Sequence, residues 1–163
     1  MDFKDGIRKS MEMADFMVEK YVTDLTPEEL LTRPAPAANH VAWQLGHLIA
    51  AERMLVEGAV PGSMPPLPAG FAERHTKDTA KSDKPGDFLT KDGYLQLAKE
   101  VRAATLKVLD SVPMADLDGP VRGKVPPFVQ TVGDCLGTVG SHWMMHSGQW
   151  VVLRRKLGRD VMF

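Results

Sequence analysis

A chain of 163 residues is about the length of one ordinary domain, and at that size roughly 70% of the unfolded surface can be buried on folding. With 44% apolar and 25% charged residues, the composition is that of a globular protein and excludes fibrous and wholly disordered classes. Twenty Lys and Arg against twenty-one Asp and Glu leave a formal charge of −1 spread along the chain, so there is no cationic footprint for a nucleic-acid partner.

The opening run MDFKDGIRKSMEMADF lacks the continuous apolar core of a signal peptide. No stretch approaches the ~18 apolar residues of a membrane span, so a cytoplasmic location with no membrane partner is expected. Phe3, Ile7, Met11, Ala14, Val18 and Tyr21 recur in steps of three and four, which predicts an amphipathic first helix ending before Asp24. Thr26-Pro27-Glu28-Glu29 then supplies a cap, a first-position proline and an acidic first turn, predicting a short helical piece that stops at Pro34.

After Pro34 and Pro36, Asn39 is the expected cap of a second long helix running through VAWQLGHLIAAERMLVE to Gly58, a candidate C′ glycine. Val41, Leu45, Leu48 and Leu55 form one apolar stripe, and Trp43, His47, Ala50 and Met54 form another, so this helix should be central. From Val60 to Asp87 the chain turns rich in Pro and Gly and then polar, with room for one short turn near Phe71 to His75. A connection of that length is either a lid or binding segment or a packed surface excursion.

Thr90 caps a predicted third helix carrying Tyr94, Leu97, Val101, Thr105, Val108 and Val112 on one face, closed by Pro113. Beyond Pro120, Pro126 and Pro127, Thr131 with Asp134 reads as a capping box, and a fourth long helix runs to Gly158. Its basic end, Arg154, Arg155, Lys156 and Arg159, is read as cations complementing the helix dipole. Four long helices without an alternating strand pattern predict one all-α domain over 1–163, a four-helix bundle, although periodicity alone does not give the order of packing.

His142 and His146 are four apart on the fourth helix, one turn above each other with Cβ atoms about 5–6 Å apart, a spacing at which two imidazoles can grip one ion. His47 lies mid-helix on an apolar face, where it is either a core histidine bonded to a carbonyl or a neighbouring side chain, or a third ligand. Gln149, one turn beyond His146, either orients a ligand or substrate or caps a polar core pocket. Trp43 is a candidate pocket residue, although the expectation for it, Trp143 and Trp150 is core or dimer packing. His40 lies too far from His47 for a shared coordination shell, about 10 Å along the axis, and is expected to line a pocket mouth or, more simply, to cap the helix or face solvent. His75 reads as exposed, and Cys135, the sole cysteine, as a small buried apolar side chain. With one cysteine no multi-thiolate site can form within the chain.

The runs NHVAWQLGHLIAAE and SHWMMHSGQW together resemble the DinB-like superfamily, also called the DinB/YfiT-like metalloenzymes. In that family a histidine in a W-x-L-G-H context joins an H-x-x-x-H pair on the last helix to hold a divalent metal, which implies a site of His47, His142 and His146. The resemblance also implies an up-down-down-up four-helix bundle, often a homodimer. Members include hydrolases and thiol-dependent transferases or isomerases.

One divalent ion is therefore expected, zinc, nickel or iron, since nitrogen donors suit all three. A small-molecule substrate is expected, and a low-molecular-weight thiol is a candidate co-substrate. Three neutral imidazoles would leave the ion its full charge and open positions, as in catalytic sites. Hydrolysis, thiol transfer and a purely structural, non-catalytic metal in a binding module all remain open. No carboxylate shares the ligand stripe, because Asp134 lies ~12 Å from His142 along the helix and Glu52 and Arg53 project at other angles from His47.

Overall fold

The computed structural model describes residues 2–162. Its helices are α1 (Phe3–Val22), α2 (Pro27–Leu30), α3 (Val41–Ala59), α4 (Lys91–Ser111) and α5 (Val132–Lys156). Among the described residues there is no strand, only an isolated antiparallel bridge between Pro120 and Thr131. None of these helices is long and apolar enough to cross a membrane.

The helix starts follow from side chains that satisfy otherwise unpaired N–H groups. Asp2 with Asp5, Thr26 with Glu29 and Thr131 with Asp134 form reciprocal capping boxes on α1, α2 and α5. Thr90 caps α4 by accepting from the backbone N–H of Gly93. At α3 the cap is His40 rather than Asn39: its Nδ1 accepts from the Trp43 backbone N–H at 3.1 Å, while Nε2 donates to the Ser82 carbonyl at 3.0 Å. The imidazole reaches N3 as a shorter cap would, and it also pins the long connection. His40 is therefore fully buried, neither facing solvent nor at a pocket mouth.

Helix α5 ends as expected, with Gly158 at a positive φ of 69°. Helix α3 instead continues to Ala59, and Gly58 lies inside it. That glycine is required by close approach, because a Cβ there would sit 2.3 Å from Val125 Cγ1. The Gly58 carbonyl accepts from the backbone N–H groups of both Arg122 and Gly123, each at 3.0 Å, and so anchors the connection before α5.

Helix α1 packs extensively on α5, α3 packs on both α5 and α4, and α1 touches α4. Trp150, Tyr21, Leu45, Leu48, Ile49, Leu109 and Leu136 fill the centre. The backbones of α1 and α5 approach so closely at Gly140 that a Cβ would meet Ser10 Oγ at 2.2 Å. The basic end of α5 does more than complement a dipole. Buried Arg154 forks onto Asp24 (2.6 and 3.1 Å) and Arg159 binds Glu29 (2.6 Å), which ties α5 back to the α1–α2 corner.

The segment between α3 and α4 is a packed excursion over the bundle, with 3-10 turns at Glu73–His75 and Pro85–Asp87. His75 is buried, contrary to its reading as an exposed loop residue. Its Nδ1 donates to the Phe71 carbonyl at 2.7 Å and its Nε2 accepts from Tyr94 Oη at 2.8 Å. The ring lies directly over Gly46, where any Cβ would be 2.1 Å from it.

Candidate metal centre

Helix α3 presents His47, and successive turns of α5 present His142 and His146. The ring centroids are 5.1 Å apart for His47 and His142, 5.5 Å for His47 and His146, and 5.0 Å for His142 and His146. One nitrogen from each ring can be chosen so that all three lie within 4.8 Å of one another. Tetrahedral nitrogens at the usual 2.0–2.1 Å from zinc are about 3.3 Å apart, so small ring rotations would bring the three onto one ion. Among the described residues no carboxylate or thiol joins the group.

The protonation states suit cation binding. Burial pushes the His146 pKa down to about 3 and that of His142 to about 4, with the neighbouring imidazoles adding to the effect. Burial also lowers the His47 pKa, partly offset by a hydrogen bond to the His75 backbone. At neutral pH all three rings are uncharged and hold lone pairs for a ligand. His146 is buried, whereas His47 and His142 are half-buried and give the cluster a side open to solvent.

The surrounding shell is only partly what the sequence suggested. Trp43 stacks parallel on His47, with centroids 4.9 Å apart at 7°, and walls one side of the cluster. Its Nε1 is buried without a hydrogen-bond partner. The side chain that touches His146 is Gln44, whose Oε1 lies 3.0 Å from His146 Nδ1 and also accepts from Trp150 Nε1 at 3.0 Å. Gln149 stands behind it, its Oε1 accepting from Gln44 Nε2 at 3.2 Å. His40 binds Ser82 and its own helix start and does not join the cluster.

Glu52 is the nearest carboxylate to His47 on α3, and it is fully engaged elsewhere. It accepts both arms of Arg102 (3.0 Å each), the Thr105 hydroxyl (2.8 Å) and Trp143 Nε1 (2.8 Å). Reading the sequence missed both Gln44 and Glu52 as organised polar groups. The available signal was a Gln and a Glu on a helix that is otherwise apolar on more than one face.

Residues 12–150 match the family model described as the DinB superfamily, a span that contains all three histidines. No curated protein matches the chain.

Proposed function

The chain belongs to the DinB superfamily, and from that premise we propose that it is a metal-dependent enzyme in which His47, His142 and His146 hold one divalent ion. The observation that carries the reading is the convergence of three neutral imidazoles, from two helices, at a spot with one solvent-open side. Three uncharged donors leave the ion its full charge and free positions, the pattern of catalytic rather than closed structural sites. When bound, the ion supplies Lewis acidity, lowering the pKa of a coordinated water or thiol.

The absence of a carboxylate from the cluster favours thiol-dependent transfer to a small electrophilic substrate over hydrolysis. A thiol, once deprotonated, is a strong nucleophile without a general base, whereas attack by water gains from one. Trp43 would wall the substrate side beside His47, and Gln44 with Gln149 would hold His146 from behind. The ring of helix contacts supports one domain built as a four-helix bundle, and family membership favours its up-down-down-up order. Resemblance to the superfamily also supports a homodimer, and the all-nitrogen donor set suits zinc, nickel or iron as the resident ion.

The test is elemental analysis of purified protein with and without His146→Ala, followed by assays against electrophiles with small thiols and against an ester panel. About one metal per chain, lost in the variant, with metal-dependent consumption of thiol, is the expected result. Ester cleavage alone would replace transfer by hydrolysis. Turnover in neither assay, with metal removal lowering only the melting temperature, would make the ion a structural staple.

A further inference from the structure

We propose that Gln44 is the positioning residue of this site: its side-chain oxygen fixes the His146 proton on Nδ1 and leaves Nε2 as the ring's one available ligand atom. Two partners of Gln44 can act in only one sense. An indole N–H only donates, so the Gln44 atom 3.0 Å from Trp150 Nε1 has to be the amide oxygen. A backbone carbonyl only accepts, so the Gln44 atom bonded to the Asn39 carbonyl has to be the amide nitrogen. The two partners hold opposite ends of the amide and set its orientation by chemistry alone.

With the oxygen so placed, its contact with His146 Nδ1 at 3.0 Å is a hydrogen bond only if that nitrogen carries the proton. A neutral imidazole has one N–H, so Nε2 is left as a lone pair. The second amide hydrogen goes to Gln149 Oε1, which completes two donated and two accepted bonds on a side chain that is 1% exposed. A flipped amide would point N–H at Trp150 and oxygen at the Asn39 carbonyl, leaving buried groups opposed and unsatisfied. Gln44 therefore links the start of α3, Trp150 and Gln149 to a single proton position on His146. Partners of this kind, which fix the tautomer and ring direction of a ligating histidine, typically change metal affinity by about 10- to 100-fold when removed.

The consequence for affinity rests on the metal reading above, but the tautomer is a property of the metal-free chain, so the two fail separately. Histidine-15N-labelled, metal-free protein at pH 7 is examined by long-range 1H–15N correlation, with His146 assigned by its loss in His146→Ala. A neutral His146 protonated on Nδ1 is expected, and protonation on Nε2 overturns the proposal whether or not metal binds. Zinc titrations then compare wild type with Gln44→Leu, which removes the acceptor, and Gln44→Glu, which keeps an acceptor oxygen. Affinity should fall about 10- to 100-fold in Gln44→Leu and be largely retained in Gln44→Glu. Equal affinity in wild type and a folded Gln44→Leu would refute the positioning role. If Gln44→Leu fails to fold, the wild-type tautomer still decides. A wild-type chain that binds no zinc while showing the Nδ1–H tautomer would sink the metal reading and leave this one standing.

Discussion

Replacing Glu52 by leucine would remove the one carboxylate that holds together the buried polar groups of α3, α4 and α5. In the wild type its two oxygens take four hydrogen bonds: two from Arg102 at 3.0 Å, one from Thr105 at 2.8 Å and one from Trp143 Nε1 at 2.8 Å. Without it the Arg102 side chain, only 7% exposed, keeps a single acidic neighbour, Asp15 at 3.6 Å from Nη1. Thr105 still bonds the Val101 carbonyl, but the Trp143 N–H is stranded. Breaking one side of a buried ion pair costs about 3–5 kcal/mol, and the stranded indole N–H adds about 1 kcal/mol or more. For a chain of this size that is a fall in melting temperature of roughly 12–18 °C. Urea and thermal unfolding of metal-free Glu52→Leu measure it directly. The double variant Glu52→Leu/Arg102→Met, which replaces both charges by apolar groups, should recover most of the loss. Metal content per chain should stay unchanged in both, because Glu52 is spent on structure. A Glu52→Leu protein within about 1 kcal/mol of wild type, or one that keeps its stability but loses its metal, would refute this account of Glu52.

Gly46→Ala would drive a Cβ to 2.1 Å from the His75 ring, and a helix backbone cannot retreat that far. The Glu73–His75 turn should lift away with its Phe71 and Tyr94 bonds, seen as faster proteolytic cleavage between α3 and α4 and a loss of roughly 2 kcal/mol or more. The acid stability of the metal-free protein follows from the depressed histidines. Because His142 and His146 resist protonation until about pH 4 and 3 when folded, the unfolded chain binds more protons below about pH 6.5. Their contribution is thus fully present above pH 6.5, declines as the pH falls, and levels off only below about pH 3. His146 alone accounts for on the order of 5 kcal/mol of that decline. Replacing His146 by Asn should flatten the profile of folding free energy against pH between 6 and 4, and an unchanged profile would contradict the burial argument.

The helices were legible because each carries its own local signal. Three- and four-residue apolar spacing marks α1 and α4, and Thr26/Glu29 and Thr131/Asp134 announce the starts of α2 and α5. The histidine cluster was legible only in two steps: the residues themselves left His47 open between a core histidine and a third ligand, and the resemblance of its W-x-L-G-H run and the H-x-x-x-H pair to the DinB-like superfamily joined the three that the fold brings together. What escaped was set by contacts distant in sequence. Gln44 reads as an ordinary helical residue until Trp150 and His146, more than a hundred positions on, meet its oxygen. Glu52 could be placed only as projecting away from His47, and its role emerges when Arg102 arrives from α4. His75 sits in a polar stretch, and only folding brings Gly46 beneath it and Tyr94 alongside. Asn39 reads as the cap because short polar side chains lead the cap rankings, but of the roles read for His40 it is the capping one that the fold uses, with Nδ1 accepting the bond.

The central claim is that three imidazoles from α3 and α5 coordinate one ion. X-ray absorption at the zinc edge, on protein loaded with one equivalent of zinc, addresses it most directly. Three imidazole nitrogens at about 2.0–2.1 Å are expected, with the remaining coordination made by light, exchangeable ligands. A first shell with fewer than three imidazoles, one that includes the Cys135 sulfur, or one unchanged by His47→Ala, would contradict it.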